Sequence, residues 1–251
     1  MTDVTDDAFL GGRLQLLQPR TGYRAGIDPV LLAASVPALA GESVLALGCG
    51  VGAVALCLGL RVPGLHLVGL ELQPEYAELA RRNAARNGLA LDVLDGDAMQ
   101  PPPALRAMGF DHVVCNPPFY DPSARTASAD PARETGLSGA DLAAWLDQAV
   151  RRLAPKGVLT LIHDAAALPT VLSAIGDRVG ALTVRPLAPR ADRTASRIIV
   201  SARKGARAPF TLAAPTVLHS GAVHGSDQPD YTPEIEQILR HGEAFPPIHK
   251  I

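Results

Sequence analysis

The residues best suited to chemistry are Asn116-Pro117-Pro118-Phe119, which directly follow the apolar run Asp111-His112-Val113-Val114-Cys115. That order of types suits the handling of a planar nitrogen, either an exocyclic amine or an amide. Such a nitrogen delocalises its lone pair into a π-system and is a poor nucleophile. The Asn116 side-chain carbonyl and the Pro117 backbone carbonyl can both accept hydrogen bonds from its NH₂, holding it and helping it pyramidalise. Two prolines fix φ and remove two donors, so the turn is stiff and presents carbonyl oxygens. Phe119 offers a face on which a substrate ring can stack. The same four residues also suit an ordinary strand-ending turn, so their meaning depends on what surrounds them.

The surroundings supply a nucleotide-handling frame. Glu42 to Leu47 reads as a short buried strand, Gly48-Cys49-Gly50-Val51-Gly52 as a glycine turn, and Ala53 to Leu58 as the start of a helix. Glycines let the backbone approach a ligand, and the helix N-terminus lies alongside. The spacing is G-x-G-x-G, which fits a pyrophosphate less well than G-x-G-x-x-G. The next strand, His66 to Glu71, ends in an acid 19 residues past Gly52, placed to accept from a ribose diol. Pro74 to Asn87 is an amphipathic helix with Gly88 as its stop. Leu91 to Leu94 then leads to Asp95-Gly96-Asp97, a further carboxylate at the same sheet edge.

These motifs, in this order, resemble those of class I S-adenosylmethionine-dependent methyltransferases, and specifically the tRNA1(Val) adenine-N6 methyltransferase group. The resemblance runs from about Leu17 to Arg203. It is carried by Gln18-Pro19-Arg20-x-Gly22-Tyr23-Arg24, Asp28-Pro29-Val30-Leu31-Leu32-Ala33, the glycine turn and Asn116 to Phe119. Arg133-Glu134-x-Gly136-Leu137-Ser138 and Leu153-Ala154-Pro155-Lys156-Gly157 also match. It implies a doubly wound, seven-stranded, mostly parallel α/β sheet of Rossmann-like type, closed by an antiparallel C-terminal hairpin. It implies S-adenosylmethionine as cofactor, approached by Gly48, Gly50 and Gly52, with Glu71 on the ribose, Asp97 on the adenine amine, and Asp28 and Asn116 nearby. Asn116, Pro117, Pro118 and Phe119 would be the catalytic residues. Arg20, Tyr23, Phe119, Arg190 and Arg193 would meet a tRNA substrate, at an anticodon-loop adenine. One departure stands out. Such a first strand usually ends Leu-Asp-Leu-Gly, and here it reads Leu45-Ala46-Leu47-Gly48. The missing acid should weaken cofactor binding by about 1–3 kcal/mol if one charged hydrogen bond is lost, unless Asp28 or a water replaces it.

Composition sets the bounds. Hydrophobic residues make up 47% of the 251, enough for a core, and no run of about 18 apolar residues suggests a membrane span. The acidic start Met1 to Asp7 lacks a signal-peptide pattern. Cys49, Cys57 and Cys115 form no C-x-x-C pair, which suits reduced thiols and a cytoplasmic protein. The histidines show no ligand-like grouping, so no metal is expected. The net charge is −2, yet Arg185, Arg190, Arg193, Arg197, Arg203, Lys204 and Arg207 face one acid, Asp192, within 23 residues. That stretch reads either as a phosphate-tracking segment or as a solvated surface.

The expected organisation is an N-terminal cap segment over 1–40, a methyltransferase domain over 41–207, and a C-terminal extension over 208–251 packed on it. Helices are expected from Ser138 to Leu153, across Asp164–Ile175 and from Thr232 to Arg240. Strands are expected at Val158–His163, Ala181–Arg185 and Ile198–Ala202, with Pro155-Lys156-Gly157 as the stop between helix and strand. The polar stretch Tyr120 to Leu137 reads as a substrate loop. Two other functions stay open: methylation of a protein glutamine amide by the same tetrapeptide, and a catalytically idle binding protein following from Ala46. The oligomeric state, monomer or homodimer, is open.

Overall fold

A computed structural model describes residues 3–118, 139–221 and 230–248. Its centre is one sheet with strand order β10-β8-β9-β7-β6-β3-β4-β5, with β11 also paired to β8. The strands are β3 (Ser43–Leu47), β4 (His66–Glu71), β5 (Asp92–Asp95), β6 (Phe110–Cys115), β7 (Leu153–Asp164), β8 (Val179–Ala188), β9 (Arg197–Lys204), β10 (Thr211–Leu212) and β11 (Thr216–Val217). Strands β3 to β7 run parallel, while β9 is antiparallel to both β7 and β8. The seven expected strands are thus all there, including the C-terminal hairpin. Two further strands of two residues each extend the edge.

Near-continuous apolar strands require cover on both faces. Helices α1 (Asp28–Ser35), α2 (Ala53–Arg61) and α3 (Pro74–Arg86) cover one face, burying Val30, Leu31, Leu56, Tyr76 and Leu79 against Val44, Ala46 and Val114. The short α4 (Pro103–Arg106), α5 (Gly139–Arg152) and α6 (Leu168–Ile175) cover the other, burying Leu105, Leu142, Leu146 and Val171 against Leu45, Leu47, Val113 and Leu159. The alternation of β3 between these two cores is the period-2 pleat. Helix α7 (Pro233–His241) packs against α1, and Phe245 N–H donates to the Ala34 carbonyl at 2.9 Å.

Two local expectations change. Strand β7 starts at Leu153, directly after α5, so Pro155-Lys156-Gly157 lies within it. Lys156 takes φ 67 beside a register shift, and Leu153 pairs with Phe110. Thr232 holds the N-cap position of α7, but its hydroxyl donates to the Val217 carbonyl rather than capping the helix. Ser138, the expected cap of α5, and Tyr120 to Leu137 lie outside the described residues.

The N-terminal segment forms a two-stranded hairpin, β1 (Val4–Phe9) with β2 (Leu14–Pro19), paired from Val4–Pro19 to Phe9–Leu14. Its open edge would leave backbone groups unpaired. Two asparagines one helical turn apart, Asn83 on α3 and Asn87 at its C-cap, satisfy groups on β2. Asn83 accepts from Leu17 N–H at 2.7 Å and donates to its carbonyl at 3.0 Å, while Asn87 accepts from Gln15 N–H at 2.9 Å and donates to its carbonyl at 2.8 Å. Asn83 is fully buried and also donates to the Val51 carbonyl in the glycine turn at 3.0 Å. The hairpin is thereby tied to the sheet edge where the candidate residues lie.

Candidate active site

Chain order reverses between β3 and β6: β4 and β5 extend to one side, β6 and β7 to the other. In an open parallel sheet that switch point, at the C-terminal ends of the strands, is where a ligand fits. The glycine turn leaves β3 there and Asn116 leaves β6, with Leu47 and Cys115 as register partners just below.

Gly48, Gly50 and Gly52 have φ of 70°, 55° and 86°, a region L side chains rarely adopt. Gly48 and Cys49 donate their N–H groups to the Leu70 carbonyl, each at 2.9 Å, hanging the turn on the end of β4. A Cβ on Gly48 would fall 2.6 Å from Cζ2 of Trp145, so the indole of α5 closes the turn from one side. A Cβ on Gly50 would meet only Tyr23, at 3.8 Å, so this backbone is free to lie close to a ligand.

Glu71 is 7% exposed and closes the far side of the turn. Its Oε2 accepts from Gly50 N–H at 2.8 Å and its Oε1 from Gln73 N–H at 3.0 Å. A carboxylate has about four acceptor sites, so two remain for a diol. The next residue, Leu72, is 63% exposed, an apolar side chain left in solvent beside the acid. Asp97 is half-buried and accepts from Met99 N–H at 2.8 Å. Ala46 is 3% exposed, between Gly69 and Val114 in the register and inside the apolar core. Asp28 opens α1 and pairs with Arg197 at 3.4 Å, while Arg197 also reaches Asp164 at 3.0 Å.

Asn116 and Tyr23 meet. The Asn116 Nδ2 donates to the Tyr23 hydroxyl at 3.0 Å, and the Tyr76 hydroxyl donates to the Tyr23 carbonyl at 3.1 Å. Tyr23 as a residue is 43% exposed, yet its hydroxyl end is desolvated. Burial first, then the Asp28 carboxylate, push the phenol up to about 12, against the opposing effect of the Asn116 donor. Pro117 is buried and Pro118 exposed. Phe119 lies outside the described residues. One strand away, His163 is 5% exposed, and burial pushes its imidazole below the usual histidine value; the Asp164 N–H donates to Nδ1 at 2.8 Å.

The basic segment does not act as one patch. Strand β9 is antiparallel, so Arg197 at its start lies at the Asn116 edge while Arg203 and Lys204 at its end lie at the opposite edge. Arg190 is held by Asp230 at 2.6 Å and by the carbonyls of Ser220 and Gly221. Arg185 donates to the Pro246 carbonyl at 2.8 Å and lies over the Phe245 ring. Arg20 pairs with Asp3 at 2.7 Å and Arg24 with Asp7 at 2.6 Å. The exposed Arg193 side chain has no partner among the described residues. Within those residues no group of three or more His, Cys, Asp and Glu side chains has metal-holding geometry, and no helix is long and apolar enough to cross a membrane. The three cysteines are buried, and burial pushes Cys57 and Cys115 up to about 12.

Residues 26–175 match the family model of the methyltransferase small domain. The chain belongs to that family. Its donor, S-adenosylmethionine, fits the residues present: left-handed glycines with open space at Gly50, spare acceptor sites on Glu71, and an exposed Leu72. A tRNA1(Val) (adenine(37)-N6)-methyltransferase of Aeromonas hydrophila is 31% identical over 195 residues, covering 74% of this chain and 79% of that one. A release factor glutamine methyltransferase of Deinococcus radiodurans is 34% identical over 170 residues, covering 64% of this chain. The chain spans 58% of that enzyme's length and 59% of a tRNA1(Val) enzyme from Yersinia enterocolitica. Among solved structures, a predicted O-methyltransferase from Agrobacterium tumefaciens is similar at a TM-score of 0.70 and 27% identity, over 87% of this chain and 98% of that one.

Sequence reasoning singled out Asn116, the glycines and Glu71, which the fold brings to one edge. It missed three things: the link of Tyr23 to Asn116, the indole of Trp145 over Gly48, and the exposed Leu72. The apolar residue directly after a strand-ending acid was a readable sign of the last.

Proposed function

We propose that this chain transfers the methyl group of S-adenosylmethionine to N6 of an adenine in RNA, an anticodon-loop adenine of a valine tRNA. The observation that carries the reading is the Asn116 amide at the switch point, beside the glycine turn and anchored to Tyr23. When bound, the cofactor supplies an electrophilic methyl group. The protein's part is placement. Asn116 Oδ1 and the Pro117 carbonyl would hold the target amine, Glu71 would accept from the cofactor's ribose, and Phe119 and Leu72 would offer apolar surface to the substrate ring and to the cofactor. Positioning supplies most of the rate. The methylated nitrogen is acidic and loses its proton without a strong base. An adenine in a loop needs little unstacking to reach such a site. The Aeromonas relative, matched over most of both chains, supports the substrate.

A glutamine amide of a protein is the second reading. The Deinococcus relative favours it, and so does the internal pairing of Arg190 and Arg197, which leaves little free positive charge at the described site edge. Incubation with S-adenosylmethionine and either bulk tRNA or release-factor protein separates the two. N6-methyladenosine among the digested nucleosides is the expected product. A methylated guanine, or transfer to protein glutamine with none to RNA, overturns the tRNA reading.

Salt dependence gives a sharper check. Arg193→Glu should lower the slope of log affinity for tRNA against log salt by roughly one unit or more, because one free phosphate contact is lost and a repulsive charge added. The variant should unfold at the same temperature as the wild type. Arg190→Glu should instead lower the unfolding temperature, because it sets a second carboxylate against the partly buried Asp230. An unchanged slope in Arg193→Glu places the RNA elsewhere.

A further inference from the structure

The loop between β2 and α1 is built to hold Tyr23. Gln18 is 2% exposed and closes the loop at its base. It accepts from Ala25 N–H at 2.7 Å and donates to the Ala25 carbonyl at 3.3 Å and to Asp7 at 2.8 Å. Arg24 braces it from within, donating to the Pro19 carbonyl at 2.9 Å, to Thr5 at 2.7 Å and to Asp7 at 2.6 Å. Gly22, at φ 92°, makes the turn, and Tyr76 fixes the Tyr23 carbonyl. The motif Gln18-Pro19-Arg20-x-Gly22-Tyr23-Arg24 thus divides into fasteners and one presented side chain. Ordering a half-exposed aromatic costs conformational entropy; these fasteners are all bonds within the protein itself, which is preorganisation.

What Tyr23 meets is the one group whose orientation matters most. The Asn116 amide has a donor end and an acceptor end. Only the acceptor end can hold a target NH₂; a flipped amide sets donor against donor. The Tyr23 hydroxyl lies in the field of the Asp28 and Glu71 carboxylates. The hydroxyl oxygen accepts from Asn116 Nδ2 at 3.0 Å, so the donor end of the amide is the end turned to Tyr23 and Oδ1 is left for another partner. We infer that Tyr23 is a positioning residue that locks the Asn116 amide with Nδ2 on the Tyr23 hydroxyl and Oδ1 toward the substrate nitrogen. The role deepens the methyl-transfer reading and rests on it. Tyr23 is not a base in this scheme, since its phenol, pushed up to about 12, stays protonated at any working pH.

Tyr23→Phe removes the hydroxyl and keeps the ring over Gly50. On bulk tRNA, kcat should fall about tenfold or more, while the Kd for S-adenosylmethionine by calorimetry and the shape of the pH–rate profile stay as in the wild type. The double variant Asn116→Ala/Tyr23→Phe should be no slower than Asn116→Ala, because Tyr23 acts through Asn116. The side-chain NH₂ resonances of Asn116, assigned by their loss in Asn116→Ala, should move in Tyr23→Phe. An unchanged kcat, a loss confined to cofactor Kd, or losses that multiply in the double variant would overturn the role. If the wild type methylates neither bulk tRNA nor release-factor protein, the functional reading falls separately. The amide resonances then decide alone: shifted supports the lock, unshifted refutes it.

Discussion

Asn116→Ala should lower kcat by two to three orders of magnitude while leaving the Kd for S-adenosylmethionine within a few-fold. Removal of one preorganised hydrogen-bonding group at a reacting centre typically costs about 10²–10³ in kcat, and the Pro117 carbonyl remains as a partial holder. Cofactor affinity is spared because the glycine turn hangs on Leu70 and Glu71, not on Asn116. The fold is spared as well: Asn116 is half-buried, and its one side-chain bond among the described residues is to Tyr23. Rapid-quench turnover with isothermal calorimetry reads both quantities. A wild-type rate would remove the tetrapeptide from the chemistry. A large rise in cofactor Kd with kcat retained would recast Asn116 as a binding residue.

The parallel strands were legible because burial on both faces writes them as unbroken apolar runs: His66 to Glu71 and the run up to Cys115 end where the sequence places them. Glycines and prolines made the turns readable, since positive φ at Gly48, Gly50 and Gly52 leaves little choice of residue. The N-terminal hairpin was not legible. Its edge is satisfied by Asn83 and Asn87, about 70 residues away, and no local periodicity records a strand completed by side-chain amides. The arginines were ambiguous for a related reason. Charge density along the chain counts Arg185 to Arg207 together, but an antiparallel hairpin sends its two ends to opposite edges of the sheet. Acids from distant segments, Asp28, Asp164 and Asp230, then neutralise individual members. Tyr23 was marked as a substrate contact from its motif. Its reach to Asn116 depends on the loop fastened by Gln18 and Arg24, which is a matter of tertiary geometry.

Glu71→Ala should weaken S-adenosylmethionine binding by roughly 1.5–3 kcal/mol, the worth of hydrogen bonds to a charged group. That is about ten- to a hundredfold in Kd. The side chain does two jobs. Its spare acceptor sites suit the ribose hydroxyls, and its two used sites hold Gly50 N–H and Gln73 N–H. Removing a 7%-exposed carboxylate also strands those two donors, so stability should fall by about 1–3 kcal/mol. Glu71→Gln separates the roles. A glutamine carbonyl can still accept from one backbone N–H, so most stability should return, while the neutral, half-donor amide is a poorer partner for a diol and affinity should stay low. Calorimetric titration with S-adenosylmethionine and with methionine alone reads the difference, since methionine lacks the ribose and should bind the variant and the wild type alike. If S-adenosylmethionine binds Glu71→Gln with the wild-type Kd, the ribose does not lie on this acid. The glycine turn would then be holding some other part of the ligand.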